Sequence, residues 1–353
     1  MKRSLSAVAV LTLLGACNGT QPFFDGTNAP WINAPDEGSF AEELPPAEEA
    51  PSATRRIQRY EEQNDSGGGY ARDIRYNADN DTFFVNNLAF DGENTYQRGT
   101  DIPSLAAGAF NVYDADIQVA DYLTGNAIGQ IVPYRAIYAE STNTTVDDDG
   151  NTVPRSRFAI VRTGGYTGFG FGGFIYMRDG GVTLPPENTT GQAGFTGKYA
   201  GMRVFNGIAK LELTEADIEI AIDFDDFDAN NTVKGRLFNR VAYNPDGTAV
   251  VLGPNYLAGE LPYDPLPFDI AEGVDNFNED GEMFGTLSNT RLDLQSGNQV
   301  EYETGKYYGI MAGDLTDAAD GGEIVGIIVI DSLDPRDGIE KPVQETGGFI
   351  VYR

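Results

Sequence analysis

Between Asp217 and Asp225 the chain reads DIEIAIDFD. Ile218, Ile220, Ile222 and Phe224 fall on one side of an extended backbone, and Asp217, Glu219, Asp223 and Asp225 on the other. Successive side chains of a strand point to opposite faces, so this pattern sets one face in a core and one in water. A helix of period 3.6 cannot satisfy it. Eight further runs in the C-terminal half have strand character: GFTGKYAGMRVF, GIAKLELT, TVKGRLFNRVAY, LPFDIAEGV, EMFGTLSNTRLDLQ, TGKYYGIMAG, EIVGIIVID and GGFIVYR. With the Asp217 strand they come close to the eight strands of a small closed barrel. EIVGIIVID is apolar on both faces, which predicts a strand covered on its outside as well. The 43 Gly, 18 Tyr and 20 Phe in 353 residues fit an all-β protein with many turns.

The N-terminal half carries strands less regularly. DTFFVNNLAF, AGAFNVYDADIQVADYL and QIVPYRAIYAES are β-branched and aromatic runs between turn residues, and GYTGFGFGGFIYMR continues them. DDDGN at Asp147–Asn151 is a turn signal that predicts pairing of QIVPYRAIYAES with SRFAIVR. DGGVTLPPENTTGQAG reads as a connector between two domains. Upstream of Tyr70 the sequence is rich in Pro, Glu and Ala and lacks periodicity. It reads as a disordered tether with a reach of about 40 Å, with a short helix near Arg55–Gln63. The expected organisation is a leader over 1–16, a tether over 17–69, a β-rich domain over 70–190 and a barrel over 191–353.

The first residues, MKRSLSAVAVLTLLGACNGT, have the form of an export signal. Lys2 and Arg3 precede an apolar stretch too short to span a bilayer. Leu14-Gly15-Ala16-Cys17 is similar to the lipobox of bacterial lipoproteins, in which small residues fit the peptidase and the cysteine thiol is acylated. Cys17 is the only cysteine of the chain. Each buried CH₂ of an acyl chain contributes about 0.8 kcal/mol, so dual acylation makes a stable membrane anchor. Asn18, being other than Asp, favours the outer membrane by the same resemblance. A porin-like barrel would show the same alternation as the C-terminal half. The lipobox favours a soluble barrel, since a membrane-spanning one needs no anchor.

Several function classes are excluded. With 24 Lys and Arg against 54 Asp and Glu, the formal charge of −30 repels nucleic acid. The chain has no histidine, which removes Ser-His-Asp chemistry, His-bound zinc and His-bound haem. TGKYAGM at Thr196–Met202 and TGKYYGI at Thr304–Ile310 place lysine beside glycine, as a phosphate-binding loop does. A P-loop needs glycine where Gln192 and Val300 stand, and Ser or Thr where Tyr199 and Tyr307 stand. GFGFGG at Gly168–Gly173 has the letters of a dinucleotide motif, but a strand rather than a helix follows. DFDDFDANN fails the calcium-loop pattern at Asn231 and Leu237. No cofactor and no metal site is expected. The two TGKY runs, together with GGFIYMR at Gly172–Arg178 and GGFIVYR at Gly347–Arg353, read as a repeated strand recipe.

Asn244–Gly281 holds Pro245, Pro254, Pro262, Pro265 and Pro267 with Tyr256, Tyr263 and Phe268. Two readings stand side by side: a ligand-binding loop carried by these aromatics, or a connection whose aromatics plug the end of the barrel.

GFTGKYAGMRVFNG, DFDDF with VKGRLFNR, TGKYYGIMAGD and the final ETGGFIVYR resemble the single-lobe relatives of transferrin-binding protein B, over about Tyr70–Arg353. The resemblance implies a β-rich handle followed by an eight-stranded antiparallel barrel, displayed as an outer-membrane surface lipoprotein. It further implies capture of a secreted or host protein or a small solute. A TonB-dependent receptor and a surface-lipoprotein assembly modulator are the implied partners, and iron or nutrient acquisition the implied setting. The expectation is a binding protein rather than an enzyme. The alternatives are a structural envelope lipoprotein without ligand and a hydrolase using paired carboxylates.

Overall fold

The computed structural model describes residues 43–353 except 87, 89–94, 121–122, 148, 187–190, 225–232, 252–264, 270–276, 293–296, 318, 335 and 337–340. Cys17 and residues 1–42 lie outside the described residues. The first strands are β1 (Ile57–Tyr60), β2 (Arg72–Asn77), β3 (Thr82–Asn86), β4 (Thr95–Arg98), β5 (Ser104–Leu105), β6 (Phe110–Asp114), β7 (Gln118–Ala120) and β8 (Ala127–Gly129). They continue with β9 (Arg135–Glu140), β10 (Thr144–Val146), β11 (Thr152–Pro154), β12 (Ser156–Arg162) and β13 (Gly172–Arg178). Nine of these form the handle sheet in the order β1-β13-β12-β9-β6-β4-β3-β2, with β5 beside β6. β9 and β12 pair as the DDDGN turn predicts, with the β10–β11 hairpin between them.

β14 (Val182–Thr183) lies parallel to β20 and leads into the barrel. The barrel strands are β15 (Gln192–Phe205), β16 (Ile208–Asp223), β17 (Val233–Tyr243), β18 (Leu266–Pro267), β19 (Glu282–Leu292), β20 (Gln299–Asp314), β21 (Glu323–Asp334) and β22 (Lys341–Tyr352). Antiparallel pairing runs unbroken from β17 through β16, β15, β22, β21 and β20 to β19. The short β18 closes the ring. It pairs with β17, and just beyond it Phe268 bridges to Leu287 and the Asp269 amide donates to the Thr286 carbonyl at 2.8 Å. The eight-stranded barrel is therefore closed.

β16 places Ile218, Ile220 and Ile222 inside the barrel, the face its alternation assigned. β21 is buried along its whole length because both faces are covered. Ile324, Ile328 and Ile330 point into the barrel. Val325, Ile327 and Val329 point outward, into a core shared with Phe110, Ile137, Phe158, Ile160 and Phe174 of the handle. This shared apolar layer makes handle and barrel one packed unit.

The TGKY copies occupy β15 and β20. Lys198 faces outward and pairs with Asp217, and Lys306 pairs with Glu43 at 2.9 Å. Tyr199 and Tyr307 are fully buried inside the barrel. Each ring lies against a glycine of a neighbouring strand. A Cβ on Gly347 would stand 2.1 Å from the Tyr199 ring, and one on Gly285 2.4 Å from the Tyr307 hydroxyl oxygen. The recipe is an aromatic ring laid over a cross-strand glycine.

The structure departs from the expected tether. The chain joins the fold from Glu43, well before Tyr70, and the stretch expected to be a short helix is instead the edge strand β1. Its residues alternate: Ile57, Arg59 and Glu61 turn into the handle–barrel junction, while Gln58 and Tyr60 are half-buried on the opposite face. Arg59 and Glu61 look like solvated charges in sequence, yet each meets a partner from a distant strand.

Candidate binding site

Among the described residues, the barrel interior is packed with buried side chains. One end is apolar, built from Phe195, Tyr199, Ile218, Ile220, Leu237, Tyr307 and Phe349 among others. Phe268 belongs to this core. It is 5% exposed, stacks on Tyr307 with centroids 4.1 Å apart and planes at 16°, and covers Gly235. Its side chain therefore plugs the barrel, the packing alternative of the two sequence readings. Tyr256 and Tyr263 lie outside the described residues.

The other end of the barrel holds a buried ion-pair cluster. Arg240 Nη1 donates to both Glu303 oxygens at 3.0 and 2.8 Å, and Arg203 Nη1 donates to Glu212 at 2.8 Å. The Tyr199 and Thr214 hydroxyls both donate to Glu345 Oε1 at 2.8 Å. Lys210 and Arg336 each approach Glu212 Oε1 at 2.7 Å. Burial alone would lower the Arg240 pKa, but the Glu303 and Glu345 carboxylates outweigh it and hold the guanidinium charged. With Asp334, which pairs with Arg336, the four cations face four carboxylates.

A second charged layer fastens the handle to the barrel. Arg162 makes a two-pronged contact with Glu61 at 2.8 and 2.9 Å and a third bond to the Thr346 hydroxyl at 3.0 Å. Arg59 grips Glu282 of β19 the same way at 2.6 and 2.9 Å. Glu323 of β21 accepts from Ser141, Asn143 and Ser156 of the handle. Arg178 donates to the carbonyls of Ser52, Asp280 and Met311 at 2.6, 2.8 and 2.7 Å. Burial lowers the Arg178 pKa to about 10, which still leaves it charged at neutral pH.

Among the described residues, the handle holds the larger open space, and a smaller one of about 350 Å³ lies against β15, β16 and β17 of the barrel. The handle sheet turns one face to the barrel and curls the other inward over Phe83, Tyr113, Tyr134 and Val161. Ala71 at the foot of β2 packs over Gly173, bringing β2 across the concave face of β13. Between β2 and β1 remains a cleft of about 800 Å³. β9, β12 and β13 supply its floor through Tyr138, Ala159, Ile175 and Met177. Tyr60 and Gln58 stand on one wall, Ile74 and Tyr76 on the other. Tyr76 and Tyr138 pack with centroids 4.8 Å apart. The Tyr138 hydroxyl donates to Glu140 at 2.8 Å; burial, then the Glu140 carboxylate, pushes its pKa up, so it keeps its proton.

Charge at the rim is paired. Arg56 meets Glu48 at 3.4 Å, Arg75 meets Asp73 at 2.9 Å, and Arg157 meets Asp179 at 2.6 Å. Behind the tyrosines, Asp81 accepts two bonds from Arg98 and one from Tyr113. Arg98 foremost among these donors holds the Asp81 pKa below its usual range. The cleft was not visible in sequence because its residues come from strands far apart along the chain. The signal present was local: Tyr60 and Tyr76 each sit beside a charged residue in a short strand, and Tyr138 stands two before Glu140.

No known family model and no curated protein matches the sequence. Among solved structures, a double mutant of the vaccine antigen transferrin-binding protein B from Haemophilus parasuis Hp5 is similar at 10% identity and a TM-score of 0.35, over 81% of this chain and 46% of that one. Intact Ap-TbpB, with N and C lobes, is similar at 11% identity and a TM-score of 0.32, over 84% of this chain and 52% of that one. A protein described as a surface lipoprotein is similar at 13% identity and a TM-score of 0.27, over 60% of this chain and 79% of that one. The chain spans about half the length of the two transferrin-binding structures. Likeness this remote assigns no ligand to this chain.

Proposed function

We propose that this chain is a non-enzymatic surface lipoprotein, anchored in the outer membrane through acylated Cys17, that binds a ligand in the handle cleft. The observation that carries the reading is the contrast in filling: a cleft of about 800 Å³ lined by Tyr60, Tyr76 and Tyr138 beside a barrel plugged by its own side chains. A mostly pre-formed concavity with aromatic walls and a few placed polar groups is the common form of a ligand site. The junction ion pairs hold its floor rigid. Tyr256 and Tyr263 would add a second contact region, and a TonB-dependent receptor would take over the ligand. The non-enzymatic reading draws on the absence of histidine and on the cleft carboxylates: Glu48, Asp73 and Glu140 are each engaged by Arg56, Arg75 and Tyr138.

Two experiments test this. Metabolic labelling with a palmitate analogue should mark the wild type and leave Cys17→Ala unlabelled, and protease shaving of whole cells should degrade the wild type. Loss of labelling in neither variant, or full protection from protease, overturns anchoring and display. A structural envelope role without ligand is the second reading, supported by the ion-paired junction. A deletion strain that leaks detergent while nutrient uptake stays normal favours it.

A further inference from the structure

Resting on the reading of the cleft as the ligand site, we infer that its ligand is a neutral polyhydroxylated molecule, an oligosaccharide segment, held by tyrosine faces and by the outer edges of paired charged side chains. The lining charges balance: Arg56, Arg75 and Arg157 stand against Glu48, Asp73 and Glu140. Neither an anion nor a cation finds a net complement there, and the formal charge of −30 repels anions from the whole chain. Arg56, Arg75 and Arg157 each lie in an ion pair and Glu140 accepts from the Tyr138 hydroxyl, so an anion would break an ion pair and a cation would compete with one or with that hydroxyl. A hydroxyl group breaks none, since it donates to a free carboxylate lone pair or accepts from a spare guanidinium N–H.

The apolar part of the cleft fits the same chemistry. A sugar ring offers a face of C–H bonds and an edge of hydroxyls. Tyr60 and Tyr76, both half-buried, present ring surface with a polar tip, and Ile74 and Ile175 widen the apolar area. Gln58 adds an amide with two N–H donors, its Oε1 already accepting from Arg56.

A peptide added as a strand is the main competitor, and the backbone disfavours it. The outer edge of β1 is already occupied: the Glu48 amide donates to the Gln58 carbonyl at 3.0 Å and the Tyr60 amide to the Pro46 carbonyl at 3.1 Å. The opposite wall is interrupted, since Asp73 has a φ of 46° and the β2–β3 register shifts between Arg72 and Arg75. Such breaks prevent continuous edge pairing. Recognition must therefore run through side chains.

The full-length mature chain is titrated with maltotriose, cellotriose and chitotriose, and with uncharged and charged tripeptides, by calorimetry. The expected result is saturable binding of at least one trisaccharide, changing less than twofold between 0.1 and 0.5 M NaCl because no net charge is neutralised. Tyr76→Ala should weaken it at least tenfold. Tyr60→Ala, at a position outside the Tyr76–Tyr138 stack, should do the same with unchanged circular dichroism and thermal midpoint. Binding of a tripeptide alone, lost in the same variants, overturns the sugar class and keeps the cleft. Binding that both variants leave intact overturns the cleft itself. No binding by any trisaccharide overturns the inference.

Discussion

The handle and the barrel are built from the same material and put it to opposite uses. Both are antiparallel sheets with aromatic residues facing a concave side. In the barrel the sheet closes, and Tyr199, Tyr307 and Phe268 fill the space over Gly347, Gly285 and Gly235. In the handle the sheet curls without closing, and Tyr60, Tyr76 and Tyr138 border open volume. Buried charge follows the same division. In the barrel lumen Arg240–Glu303 and Arg203–Glu212 are sealed from water; at the cleft rim the pairs stand exposed, with Arg75 at 63% and Glu48 at 54%. Closure consumes the hydrogen-bonding and apolar capacity of a sheet, and an open edge keeps it available.

The comparison requires that the two domains act as one rigid unit, and the junction is where that breaks most strongly. Arg59→Ala strands Glu282 of β19 in a buried site, and removing one partner of such a pair costs about 3–5 kcal/mol. Chemical denaturation should show a single transition moved to lower denaturant. Two separated transitions would mean that handle and barrel unfold independently.

Asp331 gives the next largest effect. It lies on the outward face of β21, fully buried, accepting from Gln344 at 3.2 Å, and burial raises its pKa from 3.8 to about 7. Between those values the folded protein keeps a proton that the unfolded chain has lost. Stability therefore falls as pH rises through that window and levels off above it. Asp331→Asn removes the ionisation and should raise the stability at pH 8 by roughly 4 kcal/mol, with little change at pH 4. Equal stability of variant and wild type at pH 8 would contradict this assignment.

Gly347→Ala sharpens the barrel side. The added methyl meets the Tyr199 ring, and overpacking of this kind costs about 1–3 kcal/mol. The denaturation midpoint should fall, and Tyr199→Leu in the same chain should recover part of the loss. The smallest effect belongs to the cleft: Tyr60→Ala should change stability by less than about 1 kcal/mol, because the side chain is half-buried at an edge. A loss as large as that of Gly347→Ala would mark Tyr60 as a packing residue and erase the distinction.

The barrel was legible in the sequence, and the cleft was not. Alternation in β16 assigned its faces, and the two-sided apolar run of β21 told of a cover on the outside before the handle was seen. Lys198 and Lys306 lost their phosphate meaning through Gln192, Tyr199 and the missing helix. These are local patterns, and strand periodicity acts over a few residues. β1 gave no such pattern because its inward residues include charges, and the partner that makes Arg59 a buried residue, Glu282, is 223 positions away. The packing of Phe268 was hidden for a similar reason: its stacking partner Tyr307 and the Gly235 beneath it come from other strands. The cleft residues join only once the handle sheet curls.

The central claim is that ligand recognition belongs to the open handle and not to the closed barrel. Backbone amide NMR shifts of the full-length mature chain, followed during titration with the trisaccharides and tripeptides, test it most directly. The expected result is a saturable set of shifts confined to Gln58–Tyr60, Asp73–Tyr76 and Tyr138–Glu140, with the amides of Tyr199 and Tyr307 unmoved. Shifts centred on the barrel strands with the handle amides unchanged, or no shifts from any of these molecules, would contradict it.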